Sequence, residues 1–318
     1  MACRRWAIFA VVTYCMDNII LIFVCLFAGV GLQYVRAIPA NAHVGLNQFV
    51  IYISLPAMAL FYIPKIAISS KLLYPLGVAW IGFIVCWLFF AGLGKWFNWP
   101  KKLVGCLILT GGLGNTAFVG LPVIEALYGK KGLETAIIVD QPGYFVVVST
   151  LGILVAALYS KGMPTTGTVL KKVLLFPPFL GFFAGFCMNL AHHDFTDVVQ
   201  NVIQRLAATV TPIALVAVGL QLKIERKSRH WNFLALGLFF KLILTPLLFL
   251  ILYKVILKGP KLETDVSVMQ AAMATQITAA ILASVNGLKP RLSGMMVGIG
   301  IPLSFLTMAI WYYILQWW

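Results

Sequence analysis

The chain has 318 residues, 61% of them hydrophobic and only 10% charged, with a mean hydropathy of +0.96. That excludes a soluble domain and indicates a polytopic helical membrane protein; the apolar runs are long and unbroken, unlike the short alternating strands of a transmembrane barrel. The net charge of +15 comes from Lys and Arg clustered between apolar runs, which suits loops beside anionic headgroups and not a nucleic-acid surface.

Residues 1–15 carry Arg4-Arg5 and an apolar run, Trp6–Cys15, that is too short to span and has no A-x-A cleavage site after it. They read as an N-terminal extension, or as the product of an upstream start ahead of Met16. Ten spans follow, at roughly 17–36, 44–64, 72–94, 102–128, 134–160, 168–190, 197–221, 231–256, 265–286 and 292–316. Prolines punctuate several of them: Pro56 in span 2, Pro122 in span 4, Pro142 in span 5, Pro177-Pro178 in span 6, Pro212 in span 7. Span 8 is interrupted by Lys241 and Pro246, and Trp317-Trp318 end the chain as an interfacial anchor. The loops are too short for an inserted soluble domain. Those that follow odd-numbered spans hold thirteen Lys and Arg, against ten for the N-terminus and the other loops, which places odd loops inside and both termini outside.

The stretch Gly111–Gly129 resists regular helix. Gly111, Gly112, Gly114 and Gly120 each weaken a helix by about 1 kcal/mol relative to Ala, and Pro122 has no N–H and clashes with the preceding turn. The predicted break lies near Val119–Gly120, with the helix restarting at Pro122. Irregular backbone at membrane depth is tolerated where it is buried in protein or lines a watery cavity. With Asn115, Thr116 and Glu125 nearby, the stretch reads either as a transport site or as a packing glycine patch with a proline kink. The six cysteines lie mostly in apolar runs and read as small buried hydrophobes, and His192-His193 reads as a solvated loop; no metal site or cofactor is indicated.

The two halves echo each other. Phe27-Ala28-Gly29 recurs as Phe183-Ala184-Gly185, and Pro56 as Pro212, both at an offset of 156. The Gly111–Gly129 stretch aligns with 269–287 at offset 158 if Gly129 meets Gly287. The chain thus divides into repeat 1 (16–160), a linker (161–167) and repeat 2 (168–318). An odd number of spans per repeat inverts the second relative to the first, the plan of alternating-access transporters.

Gly-Asn-Thr-Ala-Phe-Val-Gly-Leu-Pro-Val at 114–123 resembles the fourth-span signature of the auxin efflux carrier family, which includes plant auxin exporters and bacterial malonate-type dicarboxylate carriers. Ser54-Leu55-Pro56-Ala57, Val139-Asp140 and Ala279–Gly287 resemble it too, and the short 161–167 connection fits the bacterial or short type. The resemblance implies an all-α fold of ten spans in two inverted repeats. In it, broken spans 4 and 9 cross at mid-membrane, spans 1, 2, 6 and 7 form a scaffold, and the rest forms a moving, elevator-type transport domain. It implies small organic anions as substrates and allows a homodimer through the scaffold. One departure stands out: the family's proline at the span 9 crossover is missing around Met273–Thr275, so 265–286 could run as one continuous, soft helix.

A half-helix starting at the break would point unpaired N–H groups and a positive dipole end at a carboxylate. The expected substrate contacts are Asn115, Thr116, Gly120 and Pro122 on span 4 and Thr275 and Gln276 on span 9. Asn115 and Gln276 could equally be interhelical packing amides. Asp140, beside Gln141, is the candidate ion-coupling residue for a proton or sodium ion; its alternative is an interfacial Asp in water or paired with Lys. Glu125 complements the dipole of the second half-helix, and Lys241 either pairs with an acid or snorkels.

The leading function is secondary transport of a small organic anion, with a bile-acid-type sodium symporter as the runner-up. No G-x-S-x-G, H-E-x-x-H or nucleotide motif supports an enzyme. A channel needs a continuous polar lining, and a receptor usually needs a signalling domain.

Overall fold

In the computed structural model the described residues are 20–39, 41–66, 70–160, 175, 177–221 and 231–317. The N-terminal extension, the 161–167 linker, Trp318 and the basic clusters at Lys161, Lys171-Lys172 and Lys223–Arg229 lie outside them. The described chain is helical, with an isolated antiparallel bridge and no strand.

The helices are α1 Ile20–Leu32, α2 Ala42–Lys65, α3 Ser70–Trp96 and α4 Lys101–Gly112. Thr116–Tyr159 follows as 44 residues of nearly continuous helix, divided by Gly129 (φ 64, ψ −162) into α5 (116–128) and α6 (130–159). Next come α7 Pro177–Leu190, α8 Asp197–Leu220, α9 Trp231–Ile256, α10 Lys261–Ala271, α11 Ile277–Val285, α12 Pro290–Gly298 and α13 Gly300–Trp317. Among them α2, α3, the Thr116–Tyr159 run, α8 and α9 are long and apolar enough to cross a membrane; α12 and α13 reach that length together across a 43° bend.

Most of the prolines do not break their helices, and the reason is local. A π turn at Val50–Ser54 precedes Pro56, one at Thr116–Gly120 precedes Pro122, and one at Phe240–Leu244 precedes Pro246. Pro142 lies inside a further π turn, Val139–Phe145. The wider i→i−5 turn makes room for the ring and bypasses the missing N–H. Span 8, expected to be interrupted, is therefore one helix.

Glycines set the closest helix crossings. A Cβ on Gly29 of α1 would stand 2.9 Å from the Gly219 Cα of α8, and one on Gly181 of α7 would stand 2.8 Å from the Pro56 Cα of α2. Gln33 Nε2 donates to the Gly219 carbonyl (2.7 Å), and the Ser54 and Thr209 hydroxyls join α2 to α8 at 2.7 Å. Small residues let backbones touch where apolar lipid supplies no driving force of its own. Helices α1, α2, α7 and α8 thus form one packed group. A second group is built by α3 against α4, α6 and α10, and by α11 against α4 and α12. At its centre α4 and α10 are buried almost all round. The outer faces carry exposed Phe27, Leu88, Phe183 and Leu306, which suits lipid.

Cys25, Cys86 and Cys106 are buried as expected, whereas Cys187 faces outward; Cys3 and Cys15 lie outside the described residues.

Candidate functional site

Two interrupted helices meet at the centre of the second group. Helix α4 stops at Gly112, Leu113 turns extended (φ −114, ψ 123), and α5 begins at Thr116 behind Asn115. Helix α10 stops at Ala271, and α11 begins at Ile277 behind an extended Gln276 (φ −63, ψ 130). The two gaps pair with each other: Gly114 and Thr275 form an antiparallel bridge. Asn115 N–H donates to the Ala274 carbonyl (2.7 Å), and Gln276 N–H donates to the Leu113 carbonyl (2.9 Å). Thr275 Oγ1 adds a hydrogen bond to the Thr110 carbonyl, also at 2.7 Å.

One sequence expectation changes here, and one that the missing proline had left open is met. The first break lies at 113–115, not at Val119–Gly120, because the three glycines 111, 112 and 114 end α4 while the π turn absorbs Pro122. The second arm is broken without its proline. Backbone groups that a continuous 265–286 helix would pair internally find partners across the crossing instead.

Asn115 is 1% exposed and does two things. Its Oδ1 accepts the Phe118 N–H (3.3 Å) and so caps α5, while its Nδ2 is buried without a hydrogen-bond partner. Thr116 Oγ1 donates to Asp140 Oδ1 (2.6 Å), and Gln141 Nε2 donates to Oδ2 (3.1 Å). Asp140 is thus a buried carboxylate of α6 tied to the tip of α5, and no lysine is its partner among the described residues. Gln141 Oε1 is left unpartnered.

Gln276 reaches the crossing half-buried, with Oε1 unpaired, and Thr275 is fully buried. Gly120 lies against the side-chain amide of Gln270; a Cβ there would overlap it. Gln270 is fully buried, and both its amide atoms lack hydrogen-bond partners. Sequence reading missed this residue, since within a continuous span 9 it had no special position; its signal is its place on the last turn of α10.

Lys241 is the other residue that sequence left unplaced. It neither pairs with an acid among the described residues nor snorkels, being fully buried with Nζ 3.4 Å from the Tyr144 hydroxyl. Pro122 lies in α5 beyond the π turn, away from the tip. Glu125 is not at the dipole end either; it accepts a 3.3 Å hydrogen bond from Thr211 of α8, joining the two helix groups. His192 and His193 are exposed in a loop beside Asp194, which faces Lys65 at 3.9 Å.

The crossing therefore gathers buried amide donors and acceptors that have no protein partner, where an unmet polar group is costly unless something fills it. A cleft of about 270 Å³ lies along α11, lined by His43 of α2, Leu220 of α8, Val297 of α12 and Ile277, the residue after Gln276.

An uncharacterized transporter of Methanocaldococcus jannaschii is 28% identical over 316 residues, covering 94% of this chain and 98% of the relative. Another, of Methanothermobacter thermautotrophicus, is 25% identical over 306 residues, covering 93% and 96%. A family model described as membrane transport protein matches residues 14–312, and on that match the chain belongs to this family, the auxin efflux carriers, and is a membrane transporter.

Proposed function

We propose that the protein is a secondary active transporter that binds a small carboxylate at the crossing of the α4/α5 and α10/α11 arms and moves it by alternating access. The observation that carries this reading is the Asn115 amide. Its Oδ1 is used up in capping α5, while its Nδ2 is buried and unpartnered at the positive end of the same helix. Thr116, Thr275 and Gln276 flank it, and Gly120 lets Gln270 approach. An anion there would be met by uncharged donors and a dipole end, so no second charge needs to be desolvated.

The pseudosymmetry supports an inverted pair of five-span repeats. Gly29 packs on α8 as Gly185 packs on α2, and Gly129 and Gly287 share a positive φ of 64° and 67°. The cross-arm hydrogen bonds repeat the same pattern in each direction. In this reading α1, α2, α7 and α8 are the scaffold, through which a homodimer would form, and the second group slides against it as an elevator. Asp140 and Gln141 serve coupling to a proton or sodium ion, and both termini face outward from the cell membrane.

The test is counterflow in proteoliposomes loaded with mono- or dicarboxylates. Asn115→Ser keeps an N-cap oxygen and removes the amide donor. We expect counterflow to fall at least about tenfold, the loss of one good hydrogen bond to a charged group, with thermal stability near wild type. Counterflow at the wild-type rate would remove Asn115 from the site.

A further inference from the structure

Lys241 carries an inference that the substrate reading does not use. Its side chain rises from the middle of α9 into the interior, with no exposed surface. An ammonium in such a place needs compensation, and among the described residues no carboxylate supplies it. Its neighbours are neutral: the Tyr144 hydroxyl at 3.4 Å, the Tyr144 ring at 5.3 Å, and the Cys86 thiol, which donates to the Ile108 carbonyl.

What it does approach is the crossing. A Cβ placed on Gly114 would stand 3.1 Å from Lys241 Nζ and 3.5 Å from the Gln270 carbonyl oxygen. Gly114 sits just past the end of α4, and Gln270 is in the last turn of α10. The carbonyl-rich, negative end of α4 thus lies beside the ammonium, and that of α10 lies against the same glycine. Unwound carbonyls and half-helix C-termini of this kind are where membrane carriers attract a monovalent cation.

We propose that the Lys241 ammonium is a tethered cation that neutralises the converging C-terminal ends of α4 and α10, so that the crossing is held together without a bound sodium ion. Gly114 is then required for reach as well as for the bridge, since any side chain would press on Nζ. The anion-facing atoms, Asn115 Nδ2 and the N-terminus of α5, belong to the opposite, positive ends of the arms, so the two charge problems are solved separately.

The experiment follows thermal unfolding of the purified full-length chain in sodium chloride and in choline chloride at equal ionic strength. It compares the wild-type residue at 241 with Lys241→Arg and Lys241→Gln, all in an Asp140→Asn background, so that sodium at the proposed coupling site does not register. Lys241 and Lys241→Arg are expected to give the same midpoint in both salts. Lys241→Gln is expected to unfold at lower temperature in choline and to regain part of the loss in sodium, saturably. A saturable sodium shift with Lys241 in place would overturn the proposal. So would a Lys241→Gln midpoint equal to that with Lys241 in choline, or one lowered equally in both salts. Loss of counterflow in Lys241→Gln without any sodium effect on its midpoint would likewise overturn it and assign the ammonium to the substrate anion. If Lys241→Gln does not fold, the Lys241 and Lys241→Arg midpoints decide. Because these readings are of stability, failure of the carboxylate reading in counterflow leaves them independent.

Discussion

Asn115 illustrates how one side chain divides its work. The carbonyl oxygen of its amide holds the first turn of α5, worth about 1 kcal/mol for such a cap, and the nitrogen is left over. Asp140 is the converse case, with both oxygens engaged, by Thr116 and Gln141, and no cation opposite among the described residues. Its link to Thr116 makes the carboxyl a neighbour of the proposed anion site, so its charge state would be felt there. Asp140→Asn retains an acceptor for Thr116 and removes the ionisable group. We expect the pH dependence of transport to flatten in this variant while a residual rate persists; a pH–rate profile superimposable on wild type would restrict Asp140 to a structural role. The nearest sequence cue for this constellation was the Asp-Gln-Pro run, and it identified Asp140 and Gln141. It could not identify Thr116 as their partner, because 24 residues and a chain reversal at Gly129 separate them.

At the level of the elements, prolines and glycines exchanged the roles that propensity assigns them. Pro56, Pro122 and Pro246 ride in unbroken helices behind π turns, whereas glycines end α4 and no glycine or proline at all ends α10. What holds the second interruption open is the pairing between arms. Gln276 offers a way to measure it, because its φ of −63° already matches a prolyl residue and Thr275 before it lies in the extended bridge. Gln276→Pro deletes the hydrogen bond to the Leu113 carbonyl; Gln276→Ala deletes only the side chain. The proline variant should be less stable than the alanine variant by about 1–3 kcal/mol, the cost of orphaning a buried carbonyl, seen as a lower unfolding midpoint. Equal midpoints would mean that the interruption stands without the cross-arm bond.

For the whole molecule the question is which contacts join the two helix groups and which hold each one rigid. Glu125–Thr211 is a contact between groups, a single side-chain hydrogen bond of 3.3 Å. The Phe145 and Phe179 rings also meet between the groups. Inside the first group the contacts are of backbone on backbone, as at Gly29 and Gly219. Gly29→Ala would force the α1–α8 crossing apart and is expected to cost about 1–3 kcal/mol, as overpacking does. Gly31→Ala, two residues on in α1 with nothing within 4 Å of its added Cβ, is expected to be neutral or slightly stabilising. Thermal shifts of the two variants check this directly; similar shifts would count against the close crossing as the first group's anchor.

The sequence alone determined the class of molecule, the Gly29/Gly185 and Gly129/Gly287 correspondences and the polar residues worth attention. These follow from composition, from span length and from local backbone rules, all of which act within a few residues. Where the arms break, and that the second arm breaks at all, was decided only by tertiary structure. An unwound segment in a membrane interior survives when its peptide groups find partners, and here the partners of Leu113–Asn115 lie at Ala274–Gln276, about 160 residues away in the chain and adjacent in the fold. The burial of Lys241 beside those helix ends belongs to the same class of fact, for no local pattern distinguishes a lysine that snorkels from one that turns inward.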